Sequence, residues 1–368
     1  ALDAFIAANA NPWTDNGPIH TFSALGATLQ VQDWEDYRVK LVNSAPDAAD
    51  DIGTIDEDSV LVVSDPAQGV LNNDTDPDNL DVLTVAAFDA ASALGAIVAV
   101  NPDGSYSYDA TGLFDFLAVG ESLVDTFTYT TSDLAGATDT ATVSITVTGV
   151  NDAPVITDGG DVAGDVQEDV TLTVSGDFDS TDVDNGATAA WSVDGGGAGT
   201  YGDLSVDGNG TWTYALRNGD ANVQALAAGE IHDEVFTVTV TDEHGATDSE
   251  TVTVTVTGTN DAPVITPGGD VAGDVQEDAT LSVSGDFDST DVDNGATTAW
   301  SVDGGGAGTY GDLSVDANGS WIYVLRNGDA NVQALAGGET HDEVFTVVVT
   351  DDQGATASQD VTITVTGT

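Results

Sequence analysis

The sequence predicts an all-β protein organised as a tandem array of Greek-key β-sandwiches, and three observations carry that reading. Apolar and polar residues alternate with period two in short stretches such as Thr171-Leu172-Thr173-Val174, Thr211 to Leu216, Val235 to Val240 and Thr251 to Thr257. Gly, Asn and Asp turns break these stretches, which is the pattern of half-buried strands in a sandwich. Residues 151–258 superimpose without a gap on 260–367, pairing Trp191 with Trp300, Arg217 with Arg326 and His232 with His341. The stretch Thr251 to Ile265 reads as a last strand, a short acidic joint and a first strand; it recurs at Thr142 to Ile156 and, more weakly, at Val42-Asn43-Ser44-Ala45-Pro46.

A chain of 368 residues should hold two to four domains at roughly 100 to 200 residues each. Sixty-four acidic residues against four basic ones (Arg38, Lys40, Arg217, Arg326) give a formal charge of −60, which opposes compaction unless cations neutralise part of it. Nucleic acid and anionic membranes are excluded as partners on the same ground. The apolar share of 40% and the strand periodicity argue for folded domains rather than a disordered acidic tail. There is no cysteine, so metal is the remaining staple for small modules. No apolar run approaches the ~18 residues of a membrane span, and no basic stretch followed by an apolar core marks a signal peptide. The absence of methionine, even at position 1, predicts a processed product or an excerpt of a longer chain.

Taken in order, residues 1–42 match nothing else in the chain. They read as the end of an upstream domain or an N-terminal extension, with Phe5, Trp13, Phe22, Trp34 and Tyr37 as core candidates and Tyr37 to Leu41 as a closing strand. Repeat one spans 43–149, repeat two 150–258 and repeat three 259–368. Repeat one is divergent but keeps the skeleton: Glu57-Asp58 answers to Glu168-Asp169, Tyr106 and Tyr108 to Trp212 and Tyr214, Phe127 to Phe236, Asp133 to Asp242. The tryptophans, Trp191 and Trp212 for example, are assigned to the core because large aromatics dominate small sandwich interiors. The one helical hint is Ala221 to Leu226, where Val223 and Leu226 are spaced to seat a short turn.

Successive strands of a Greek-key sandwich run in alternate directions, so each acidic loop can be assigned to a pole. Glu168-Asp169, Glu230 and Asp233-Glu234 fall at the C-terminal pole of repeat two. Asp177, Asp179, Asp182, Asp184 and Asp242 fall at its N-terminal pole. End-to-end stacking then brings Glu168, Glu230, Asp233 and Glu234, joint residues Asn260 and Asp261, and Asp286, Asp288, Asp291, Asp293 and Asp351 together. By the same logic Glu57, Asp58, Asn151, Asp152, Asp182 and Asp184 meet at the first joint, Asp74, Asp76, Asp78 and Asp133 line the N-terminal pole of repeat one, and Glu277, Asp342 and Glu343 the C-terminal pole of repeat three. Such clusters offer the six to eight hard oxygens that Ca²⁺ takes, whereas Mg²⁺ keeps its water and a site poor in His and Cys disfavours zinc. Many other Asp residues are ordinary turn formers.

These residues resemble a known set. Thr-Val-Thr-Val-Thr-Gly-Thr-Asn-Asp-Ala-Pro-Val-Ile at the joint, Gly202 to Asp207 with Trp212-Thr213-Tyr214, and Ala225 to Glu230 followed by Phe236 to Asp242 resemble the VCBS repeats of large bacterial surface proteins. Repeat one resembles the related bacterial cadherin-like tandem repeat through Glu57-Asp58, Gly69 to Asp78 and Leu83-Thr84-Val85. The resemblance covers about 43–368. It implies cadherin-like, Ig-like sandwiches in secreted RTX-type adhesins, biofilm proteins or extracellular fibres, with calcium at the joints. It carries the joint glutamate onto Glu168 and Glu277, the acidic pair onto Asp233-Glu234 and Asp342-Glu343, and the Asp-x-Asp motif onto Asp182, Asp184, Asp291 and Asp293. The family's longer linker is represented only by Asn151-Asp152 and Asn260-Asp261, so one ion per joint is the safer expectation.

The function expected is a calcium-stiffened stalk or filament body at the bacterial cell surface, with neighbouring repeats or further copies as partners. Two alternatives stay open. Residues 1–42 could complete a neighbour's sheet in a polymerising fibre, or exposed turns such as Asp194 to Gly199 could bind a surface glycan or matrix. No catalytic function is expected, because neither Ser/His/Asp nor metal-hydrolase spacing surrounds His20, His232, His244 or His341.

Overall fold

The computed structural model describes residues 20–24, 27–31, 40–78, 81–158, 161–266 and 270–368. They are all-β, with three-residue and four-residue 3-10 turns and no α-helix among them. Two compact units result, one running to Ala153 and including Asp182–Thr188, the other comprising Pro154–Thr181 and Ala189–Thr368.

In the first unit, β1 (His20–Ala24), β2 (Ala27–Val31) and β3 (Lys40–Val42) form an antiparallel meander. The closing strand expected from Tyr37 is seen only from Lys40; Phe5, Trp13, Trp34 and Tyr37 lie outside the described residues. Repeat one follows as β4 (Asp51–Asp56), β5 (Val60–Val63), β6 (Thr84–Phe88), β7 (Ile97–Val100), β8 (Tyr106–Asp109), β9 (Ser122–Ser132) and β10 (Thr138–Thr148). Its sheets are β4-β10-β9-β6 and β5-β8-β7, all pairs antiparallel except β4 with β10. Tyr108, Tyr129, Phe127, Val143, Ile145 and Val147 fill the space between them.

In the second unit, repeat two comprises β11 (Val155–Asp158), β12 (Ala163–Gln167), β13 (Thr173–Thr181), β14 (Ala190–Val193), β15 (Gly202–Val206), β16 (Thr211–Leu216), β17 (Ile231–Thr241) and β18 (Thr247–Thr257). The sheets β11-β13-β16-β15 and β12-β18-β17-β14 show that the first strand is split. Its first half pairs antiparallel with β13 and its second half parallel with β18. Repeat three repeats the plan with β19 (Val264–Ile265), β20 (Ala272–Gln276), β21 (Ser282–Asp286), β22 (Ser289–Thr290), β23 (Thr298–Val302), β24 (Gly311–Val315), β25 (Ser320–Leu325), β26 (Thr340–Asp351) and β27 (Thr356–Thr366).

Alternation does what period two requires. Phe236, Val238 and Val240 on β17 and Val252, Val254 and Val256 on β18 are buried, and the intervening threonines face out. Trp212 and Trp321 are fully buried, whereas Trp191 and Trp300 are half-buried and stack on Phe178 and Phe287 at 6.1 and 6.0 Å. The segment Ala221 to Leu226 forms hydrogen-bonded turns rather than a helix, and Val223 and Leu226 are buried as their spacing suggested. The turn between β15 and β16 depends on Gly210: its φ of 90° favours glycine, and an added Cβ would lie 2.1 Å from the Phe178 carbonyl oxygen.

Each later repeat has one arginine, and both are held inside their own repeat. Arg217 binds Asp203 and Asp220 and donates to the carbonyls of Gly199 and Thr200. Arg326 repeats this with Asp312, Asp329, Gly308 and Thr309.

Candidate metal centre

The carboxylates that cluster at the first joint all belong to the first unit. Glu57 follows β4 and is fully buried; Oε1 accepts the Val150 N–H at 3.0 Å, and Oε2 is buried without a partner. Asp152 comes from the joint peptide and Asp184 from the loop after β13, with the Asp152 N–H donating to Asp184 Oδ2 at 3.0 Å. One oxygen from each of Glu57, Asp152 and Asp184 lies within 4.8 Å of the others. Asp182 accepts the Asp184 N–H at 3.0 Å and keeps Oδ2 buried without a partner, as does Asp152. Burial first, then the neighbouring carboxylates Asp58, Asp184, Asp115 and Asp182, push the Asp152 carboxyl above its ordinary range.

The second joint lies wholly within the second unit and repeats the frame. Asp261 N–H donates to Asp293 Oδ2 at 3.0 Å, and Asp293 N–H to Asp291 Oδ1 at 3.1 Å. Asp261, Asp291 and Asp293 each retain a buried oxygen without a partner. Glu168 is fully buried and accepts the Thr259 N–H at 3.1 Å. Burial drives its carboxyl up to about 7, against the Thr259 bond, with Asp261, Asp169 and Asp293 adding to the rise.

One substitution separates the joints. Gln224 donates to Glu168 Oε1 at 2.9 Å, whereas the matching position of repeat one is Asp115, a carboxylate within electrostatic range of Asp152. The amide occupies the oxygen that at Glu57 remains open. The sequence reading did not single out Asp115, although aligning Leu117 with Leu226 and Glu121 with Glu230 would have found it.

A third cluster sits at the N-terminal pole of repeat one, where oxygens of Asp76, Asp78 and Asp81 lie within 4.8 Å. Ser44, standing where later joints have Asp, donates its N–H to Asp78 Oδ2 at 2.7 Å. Asp81 was also missed; it takes the position of Ala187 and Ala296.

Asp133, Asp242 and Asp351 are turn anchors rather than open ligands. Each accepts N–H groups of its own turn through Oδ1. Asp351 Oδ2 also takes the Asn260 amide at 2.8 Å, which holds its carboxyl below the ordinary range, and Asn43 binds Asp133 likewise. Asn151 and Asn260 donate to the carbonyls of Asp152 and Asp261. Asp169 adopts φ 57° and exchanges bonds with Asn218. Asp58 is exposed near Asp152. Glu277 is buried and accepts the Thr368 N–H.

Three groups of expected ligands are not brought to a joint. Asp177 and Asp179 lie within β13, not in the loop after it, because the split first strand extends β13 to Thr181; Asp177 bonds Thr211. Asp286 ends β21 and bonds Ser320, and Asp288 precedes β22. Asp233 and Glu234 lie within β17, not before it. Asp233 faces out onto Thr255, while Glu234 shares the inner face with Phe236. There it accepts the Tyr214 hydroxyl at 2.5 Å and the N–H groups of Thr200 and Tyr201. Asp342 and Glu343 repeat both placements, with Thr364, Tyr323, Thr309 and Tyr310 as partners. Asp74 stays with the third cluster as expected: Oδ1 accepts the Ala49 N–H and the Tyr129 hydroxyl, while Oδ2 is buried without a partner in the pocket that Asp76, Asp78 and Asp81 also line.

The clustered donors are all oxygen, several are buried and open, and the set is compatible with a hard divalent cation. Among solved structures the chain is similar to mouse cadherin-23 repeats EC22-24, at 16% identity and TM-score 0.49, covering 89% of this chain and 99% of that one. It is similar to human CDH23 EC21-23 at 18% identity and TM-score 0.44, covering 88% and 100%. No curated protein matches the sequence. A profile described as the bacterial cadherin-like domain matches residues 43–149, 151–258 and 260–367. The chain therefore belongs to the bacterial cadherin-like domain family, whose domain it carries three times in tandem.

Proposed function

We propose that the chain is a structural and adhesive repeat array, outside the cell, whose joints are stiffened by calcium. The observation that carries the reading is the set of buried carboxylate oxygens without partners at both joints: Glu57 Oε2, Asp152 Oδ2 and Asp182 Oδ2 at the first, Asp261 Oδ2, Asp291 Oδ2 and Asp293 Oδ1 at the second. Buried anionic oxygens left unpaired are costly, and a cation removes that cost. Glu57, Asp152, Asp182 and Asp184 would hold one ion at the first joint, and Glu168, Asp261, Asp291 and Asp293 one at the second. The ion supplies positive charge and coordination that draw both repeats onto the joint peptide. The family membership and the near-identity of repeats two and three support a role in length and multivalency rather than catalysis. The VCBS-type character of those two repeats, and a place in a bacterial surface adhesin or filament, belong to the same reading. Among the described residues no helix is long and apolar enough to cross a membrane.

A calcium titration followed by melting tests this. Binding at about a hundredfold excess over Kd adds about 2.7 kcal/mol per site, so the melting temperature should rise, and rise less in Asp291→Asn and Asp293→Asn. No shift with calcium, or an equal shift in both variants, would refute the assignment. The contrast between joints gives a second expectation. Gln224→Asp frees Glu168 and adds a carboxylate, so calcium affinity at the second joint should increase about tenfold, since charge count tunes such sites. Calorimetry detecting unchanged or weaker binding would count against the role given to Gln224.

A further inference from the structure

Successive repeats also meet through a contact that needs no ion. In the second unit the Asn294 N–H donates to the Ala225 carbonyl at 2.9 Å, and Asn294 Nδ2 donates to Glu230 Oε2 at 3.3 Å. In the first unit the same two bonds run from Asn185, to the Phe116 carbonyl at 2.9 Å and to Glu121 Oε2 at 2.9 Å. The receiving side is fixed by its own repeat. Glu230 Oε2 also accepts the Ala227 N–H at 3.1 Å, its carbonyl accepts the Gly258 N–H at 2.9 Å, and His232 Nε2 bonds Oε1 at 2.8 Å. The presenting turn is fixed as well, by Gly186 at φ 76° and Gly295 at φ 74° directly after each asparagine. Phe116 and Ala225 are different residues, so the main-chain bond survives a change of side chain.

We propose that Asn185 and Asn294 are positioning residues of a cation-independent latch, which keeps successive repeats in register when the carboxylate cages are empty. An empty cage repels itself across the joint. A neutral amide facing a glutamate supplies an attraction that chelation does not remove, and hydrogen bonds to charged groups are the stronger kind. Asparagine suits the position because a carboxylate there would face Glu121 or Glu230 as a like charge. The latch uses different atoms from the cages, so it stands or falls separately from calcium binding.

Hydrogen–deuterium exchange of residues 259–266, measured on the full chain in EDTA, tests it. Asn294→Asp should raise exchange in that segment about tenfold, the change expected from losing a charge-assisted bond and gaining a repulsion. The double variant Glu230→Gln with Asn294→Asp places an amide donor opposite the new carboxylate and should restore the wild-type rate. Asn185→Asp and its partner Glu121→Gln should behave in the same way at residues 150–156. Unchanged exchange in Asn294→Asp and Asn185→Asp, or double variants no better protected than the single ones, would overturn the latch.

Discussion

In chelator the chain is expected to melt at a higher temperature near about pH 5.5 than near about pH 8, and in millimolar calcium the order is expected to reverse. Glu168 binds its proton more tightly folded than unfolded, with its carboxyl raised to about 7 from an ordinary 4.5. Without an ion, the stability linked to this group is therefore complete below the unfolded value and is lost as pH rises through about 7. Asp51 acts in the same direction: burial pushes it to about 6, with Asp74 and Asp50 adding to the rise and bonds from Tyr129 and Asn73 opposing it. Carboxyls held below their ordinary range, such as Asp351 and Glu230, lose their contribution only at more acid pH and do not disturb the comparison. The Glu168 effect is on the order of 1 to 3 kcal/mol. Calcium requires the deprotonated carboxylate, so its stabilisation is weak at the acid end and full at the alkaline end. Melting curves with the same pH slope in chelator and in calcium would contradict the linkage.

Glu343→Ala is expected to destabilise repeat three by about 3 kcal/mol or more, and Glu343→Gln by clearly less. Glu343 is buried on the inner face of β26 and accepts the Tyr323 hydroxyl at 2.5 Å, the Tyr310 N–H at 2.9 Å and the Thr309 N–H. Alanine leaves a hydroxyl and two main-chain donors without a partner in the interior, and it opens a small cavity. Glutamine keeps an acceptor for the N–H groups and mismatches one end only. Exchange protection resolved by repeat is the suitable measurement, because repeat one carries its own counterpart, Asp125 with Tyr108 and Ser92, and should not change. Equal protection of β26 in Glu343→Ala and wild type would mean that this carboxylate is not a strut.

Much of the fold was legible because strand alternation and the repeated joint are local signals. The positions of Glu57 and Asp184 followed from strand direction, since a loop's pole depends only on how many strands precede it, and that of Asp152 from the repeated joint. The failures share a cause. Asp177, Asp179 and Glu234 needed the exact strand limits, and those were set by pairing: the split first strand lengthens β13, and β17 begins at Ile231. Once β17 includes residue 234, period two turns its carboxylate inward, a placement made tolerable only by Tyr214 and two N–H groups far away in sequence. Asp115 and Asp81 were hidden differently, in a divergent repeat where the eye follows what recurs and passes over what has been exchanged.

The two internal arginines have a consequence beyond their own repeats. Arg217 and Arg326 are the only basic residues of residues 150–368 apart from histidine, and each is occupied by two aspartates and two carbonyls of its own repeat. The charged groups of this region are therefore almost all anionic. Parallel chains would hold one another at a distance set by the screening length, roughly 8 Å at physiological ionic strength. In colloidal terms such chains are polyanions, whose mutual spacing is governed by the ionic strength and divalent content of the medium.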